Sequence, residues 1–152
     1  MTAEAGGPDS EALLDSIGAT LGKLRRRTHL VKVVDPPVER KDLSRNLVIN
    51  IVDEANSEIT VGGVADQLGI DPSAASRMVS DLISQGLLER LASQRDGRRT
   101  VLRLTPEGTA ARDRFRRQHR QAFEHITRDW PARERLEFAR LLRKYVDSAD
   151  DL

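Results

Sequence analysis

The feature that most constrains this chain is a pair of short helical stripes set almost end to end. Residues 61–68 place Val61, Val64, Ala65 and Leu68 on one side of a helix. Thr60, just before them, is a side chain that caps a helix N-terminus, and Gly69 supplies the left-handed residue that ends one. Asp71-Pro72 restarts a helix at once, with Asp71 as N-cap and Pro72 at the first helical position, where its missing N–H costs nothing. Ala75, Met78, Val79, Leu82 and Ile83 form the second stripe, and Gly86 stops it. Two helices joined by a tight, glycine-containing turn are a helix-turn-helix.

A hairpin follows directly. Leu87-Leu88-Glu89-Arg90-Leu91 and Thr100-Val101-Leu102-Arg103-Leu104 flank an Arg-rich polar loop with Asp96-Gly97 at its turn. Around this centre the pattern is helical. Ser10 is the expected cap of a first helix with Leu14, Ile17, Leu21 and Leu24 on one seam, closed by Arg25-Arg26-Arg27. After a β-branched, proline-blocked break at 31–37, a second helix is expected from about Arg40 to Ala55, burying Leu43, Leu47, Val48, Ile51 and Val52. Glu58-Ile59-Thr60 suits only a small strand. Thr105-Pro106-Glu107 opens a long helix with Ala111, Phe115, His119, Ala122, Phe123 and Ile126 along one face. Asp129-Trp130-Pro131 starts the last helix, with Leu136, Ala139, Leu142, Tyr145 and Val146 expected to face inward and Trp130 to serve as core or helix anchor. The expected fold class is mainly α with a small β-hairpin wing. Residues 1–9, small and acidic with Gly6-Gly7-Pro8, are expected to be disordered, and 10–148 to form one domain.

Composition narrows the chemistry. Aromatics are 3% of 152 residues, so Leu, Ile, Val and Ala must do the packing, which favours helices over a sandwich or barrel. With no cysteine there is no disulfide scaffold, zinc finger or thiol nucleophile. No apolar run approaches the ~18 residues of a membrane span and no secretion signal is visible, so a cytoplasmic protein is expected. The net charge of +1 hides segregation: residues 1–22 carry −4, 90–103 carry +4, 112–120 carry +4 and 147–152 carry −3. Local charge, not the total, decides whether an anionic partner is attracted. His119 and His125 lie about 240° apart around a helix, so no metal site is expected. There is no Ser-His-Asp set, no glycine-rich phosphate loop and no convincing carboxylate pair, so neither an enzyme nor a cofactor is expected.

The segment Ser73-Ala74-Ala75-Ser76-Arg77-Met78-Val79-Ser80-Asp81-Leu82, with Gly86-Leu87-Leu88-Glu89-Arg90, resembles the recognition helix and following strand of MarR-type (multiple antibiotic resistance) regulators. Asp96-Gly97-Arg98, leading into Leu104-Thr105 and Gly108, is similar to that family's wing signature. The resemblance implies a winged helix-turn-helix over about 40–105 and a dimerisation lobe from helices at about 10–30 and 106–148. It implies a homodimeric transcription regulator, usually a repressor, on a palindromic operator in double-stranded DNA. Ser73, Ala74, Ser76, Arg77 and Ser80 then face the major groove, and small side chains there let the backbone approach the bases. Arg98 then enters the minor groove, oriented by Asp96, while Arg95 and Arg99 suit phosphate contacts.

The resemblance also implies a small aromatic or anionic effector, for which Arg25, Arg26 and His29 are the candidate positions, together with the second helix. The Arg row at 112, 114, 116, 117 and 120 cannot share one face; it reads as a solvated, ion-paired surface or as a flank of the DNA backbone. The alternative to a DNA-binding regulator is a winged helix that binds proteins only, although such domains usually lose the wing arginines that cluster here.

Overall fold

A computed structural model describes residues 8–26 and 40–150. The order is α1 (Pro8–Asp15), α2 (Ile17–Arg26), α3 (Arg40–Glu54), α4 (Val61–Leu68), α5 (Pro72–Ser84), β1 (Leu88–Ala92), β2 (Thr100–Leu104), α6 (Pro106–Ile126) and α7 (Ala132–Ala149). The described residues are mainly helical with one antiparallel hairpin, in the expected winged-helix order.

The helix-turn-helix forms where its caps lie. Thr60 accepts a hydrogen bond from the Gly63 N–H, and Gly69, at φ 63°, closes α4 in the left-handed conformation. Asp71 accepts from the N–H groups of Ser73 and Ala74 at the start of α5. The strands pair Leu88 with Leu104, Arg90 with Leu102 and Ala92 with Thr100. Ile59 adds a bridge to Leu102, so the segment before α4 lies on the hairpin's edge.

The core gathers Val48, Ile49, Val52, Val64, Val79, Leu82, Leu88 and Leu102. One expectation about α3 is corrected: Leu47 is 55% exposed, and Ile49, which is not among the expected core residues, is buried. α3 contacts α4, α5, β2 and α6, so its buried surface exceeds one stripe.

The outer helices also differ from expectation. The first helix begins at Pro8, so Pro8 and Asp9 are helical and Ser10 lies inside α1 rather than capping it. The single expected helix is divided at Ser16, whose hydroxyl donates to the Leu13 carbonyl while its N–H still reaches the Ala12 carbonyl. α7 carries no buried residue. Leu136 is 73% exposed, and Leu142, Tyr145 and Val146 are exposed too, so nothing among the described residues covers the expected inward stripe. Trp130 is partly exposed and acts as an anchor, edge-on to Phe138, which stacks on Phe123 at the α6–α7 corner.

The hairpin meets α6 closely. Thr105 Oγ1 accepts the Gly108 N–H at 3.0 Å and donates to the Gly86 carbonyl at 2.5 Å. A Cβ on Gly108 would overlap the Leu87 carbonyl oxygen. Gly108→Ala is therefore expected to cost about 3 kcal/mol, because the obstacle is backbone. Thr105→Ala, which loses a cap, is expected to cost about 1 kcal/mol. Urea unfolding of both variants checks this order; equal costs would remove the close approach as the cause.

Candidate nucleic-acid interface

α5 presents two faces. Ala75, Val79 and Leu82 are buried against the core. Ser73, Ser76, Arg77 and Ser80 are exposed at positions i, i+3, i+4 and i+7, which is one continuous stripe, with Ala74 half-buried beside it. The start of α5 is tightly specified. The Ser73 hydroxyl donates to the Asp71 carboxylate, which also takes the Ser73 and Ala74 N–H groups. The Ser73 hydroxyl and then the Ala74 amide hold the Asp71 carboxyl below the usual carboxylate range, with Arg77 adding a smaller electrostatic contribution. Ser73 is thus partly committed to the cap.

The wing is built from backbone. Ser93 N–H donates to Arg99 O at 2.8 Å, and Arg99 N–H to Asp96 O at 2.9 Å. Asp96 Oδ1 accepts the Arg98 backbone N–H at 3.1 Å. Asp96 therefore fixes Arg98 through its main chain, not by pairing with its guanidinium. Arg95, Arg98 and Arg99 are all exposed, and their guanidiniums have no partner among the described residues.

Other arginines are engaged. Arg103 pairs with Glu89 across the hairpin at 2.7 Å. Arg112 bonds Asp53 and Asp113, and Arg116 bonds the other oxygen of Asp53 at 2.8 Å. Arg120 pairs with Glu124 at 2.9 Å. Three of the five arginines in the α6 row are therefore ion-paired. Of the effector candidates, Arg25 is exposed at the end of α2, and the Arg26 side chain and His29 lie outside the described residues. A hollow of about 300 Å³ behind α5 is lined by Lys41, Ser44 and Arg45 of α3 and by Met78, Asp81 and Gln85. His119 lies against Phe115, ring centres 4.2 Å apart, and partial burial lowers its pKa.

The sequence reading missed three polar residues: Glu58, Ser93 and Asp53. Glu58 takes the Ser93 hydroxyl at 2.7 Å and the Gln94 N–H at 3.1 Å. The partners are 35 and 36 positions away, so no local pattern could have shown them.

Residues 47–99 match the model of the MarR family, over the helix-turn-helix and the wing. Over this third of the chain the sequence is similar to the MarR family, and the fold around it is a winged helix. Its fold is similar to that of the PcaV transcriptional regulator from Streptomyces coelicolor in complex with its natural ligand. That likeness has TM-score 0.59 and 25% identity and covers 98% of this chain and 99% of that one. FabT from Streptococcus pneumoniae in complex with DNA aligns with TM-score 0.64 at 20% identity, over 91% and 98% of the two chains. A MarR family protein from Bacillus stearothermophilus aligns with TM-score 0.64 at 18% identity, over 99% of each. A comparison with curated proteins gives no significant match.

The cap of α5 makes an acid-limb prediction. A carboxyl whose folded pKa lies below its unfolded value stabilises the fold above the unfolded value. That stabilisation is lost as pH falls through the folded value. Asp71, lowered from 3.8, is therefore expected to steepen the loss of stability below about pH 4. Asp71→Asn still caps α5 but does not titrate, so its melting temperature should fall less steeply there. Parallel pH profiles for the two proteins would remove Asp71 as a contributor.

Proposed function

We propose that this protein is a sequence-specific DNA-binding transcription regulator that acts in the cytoplasm as a homodimeric repressor on a palindromic operator. The observation that carries the reading is the exposed stripe of Ser73, Ser76, Arg77 and Ser80, set in one winged helix with a wing whose three exposed arginines have no partner for their guanidiniums among the described residues. Small hydroxyl side chains let α5 lie deep in the major groove. Arg77 offers a two-pronged donor to guanine O6 and N7, worth about 1–3 kcal/mol against a wrong base. Arg98 at the wing tip suits a narrow A·T minor groove, where negative potential is concentrated. Arg95 and Arg99 add phosphate contacts, which strengthen binding without choosing a sequence. The DNA complex named for FabT supports the same use of this fold.

The dimer is supported by apolar surface. α1 and α2 expose Leu13, Leu14, Ile17, Leu21 and Leu24, and α7 exposes Leu136, Phe138, Leu141, Leu142, Tyr145 and Val146. So much clustered apolar surface is unusual on a monomer. A twofold dimer would carry two copies of α5 and read half-sites about one helical turn apart. Binding of a small aromatic or anionic molecule is the proposed release signal, supported by the natural ligand named for PcaV. Arg25, Arg26 and His29 are its proposed contacts.

Selection of bound sequences from a random duplex pool tests the reading, and a palindrome is the expected result. Arg98→Ala should weaken binding to the selected duplex about tenfold while leaving the fold intact. Arg77→Ala should relax preference at one base pair per half-site. An unchanged affinity for the first, or an unchanged sequence preference for the second, would remove that residue from the interface. Leu142→Asp is expected to shift the protein to monomer in sedimentation; an unchanged dimer would place the interface elsewhere.

A further inference from the structure

We infer that Glu58 is a positioning residue for the wing, acting through the Ser93 hydroxyl to set where Arg98 meets DNA. The inference rests on the DNA-binding reading above. Glu58 lies outside the wing, in the turn between α3 and α4. Its own place is fixed from both sides. Its N–H donates to the Ala55 carbonyl at 3.0 Å, and the next residue, Ile59, accepts the Leu102 N–H at 2.9 Å. The turn holds Asn56 and Ser57 at φ 49° and 63°, left-handed values that are uncommon for side chains other than glycine.

From there the carboxylate reaches the root of the wing. One oxygen takes the Gln94 N–H, and the other takes the hydroxyl proton of Ser93, which is 6% exposed. Ser93 Oγ in turn accepts the N–H groups of Arg95 and Asp96, each at 3.1 Å. Asp96 then accepts the Arg98 N–H. A single relay of hydrogen bonds thus runs from the α3–α4 turn to the main chain of the wing arginine.

The relay specifies a carboxylate. A serine hydroxyl has one proton and two lone pairs. Both lone pairs of Ser93 are taken by wing amides, so its proton needs an acceptor, while Gln94 N–H needs a second one. Two acceptors and no donor describe an ionised carboxylate. A glutamine at 58 can meet one demand only, and it turns a donor toward an atom with nothing left to accept it.

The sign of the effect separates this role from plain charge. Glu58 places a negative charge at the root of the wing that carries Arg95, Arg98 and Arg99. On electrostatics alone, Glu58→Gln should tighten binding to a polyanion. The positioning role requires the opposite.

The test uses the full chain and the duplex that the wild type selects from a random pool. Affinities are measured at fixed salt for wild type, Glu58→Gln, Ser93→Ala, Arg98→Ala and the Glu58→Gln/Arg98→Ala double variant, with circular dichroism melts to establish folding. Glu58→Gln is expected to bind about tenfold more weakly, matching the loss of a charge-assisted hydrogen bond at the wing root. Ser93→Ala should follow it, and carries the same test if Glu58→Gln does not fold. The double variant should bind no more weakly than Arg98→Ala alone, because Glu58 acts through that arginine; a general structural defect would add to the loss. Equal or tighter binding by Glu58→Gln, or fully additive losses in the double variant, overturns the inference and leaves the DNA reading standing. Failure of the wild type to select any duplex overturns the DNA reading and the inference with it.

Discussion

Val48, Ile49 and Val52 are almost fully removed from water in a helix, α3, that contacts α4, α5, β2 and α6. Burial of these branched side chains in one cluster with Val79, Leu82, Leu88 and Leu102 ties the helix-turn-helix and the wing to α3. The orientation of α5 relative to the hairpin is therefore set by packing rather than by loop length. Asp53, one turn after Ile49, adds a polar tie. Its carboxylate holds two arginines of α6, so the long helix is pinned to the same helix that carries the core.

The arginines divide into two populations, and the division explains why net charge misleads here. On α3, α6 and the hairpin stem, Arg45, Arg112, Arg116, Arg120 and Arg103 each face a carboxylate at hydrogen-bond distance. On the wing tip, Arg95, Arg98 and Arg99 face none among the described residues. Uncompensated cations at the tip of a two-stranded hairpin keep their field for an incoming anion, whereas the paired ones serve the fold. The hydroxyls of α5 complement this by adding polarity without charge beside Arg77.

What could be read from the sequence was local. The caps at Thr60, Asp71 and Thr105, the stop at Gly69 and the turn at Asp96-Gly97 all act within a few residues, and all stand where expected. Leu47 and Ile49 were exchanged because a helix that contacts α4, α5, β2 and α6 does not keep a single stripe. The α7 pattern was read as inward, yet its apolar residues are exposed, since periodicity shows that a face is apolar without saying which molecule covers it. The division at Ser16 has no counterpart in the apolar pattern, which runs on from Leu14 to Leu24. At the interface, the α5 stripe and the wing arginines were legible as residue types in order. The Glu58–Ser93 contact was not, because it joins a turn to a loop across the hairpin.

Gly108 lets α6 begin directly against the Leu87 carbonyl, with Thr105 clamping the joint. A helix of 21 residues is about 31 Å long, so each degree of tilt at that joint displaces its far end by about 0.5 Å. The joint therefore acts as the fulcrum of a lever whose short arm is the hairpin and whose long arm carries the Phe123–Phe138–Trp130 corner. A displacement of an ångström or two at that corner corresponds to only a few degrees at the wing. Geometry of this kind trades distance for angle, and the Gly108–Leu87 approach, the Thr105 clamp and the Asp53 pairs with Arg112 and Arg116 together hold the long helix at that angle.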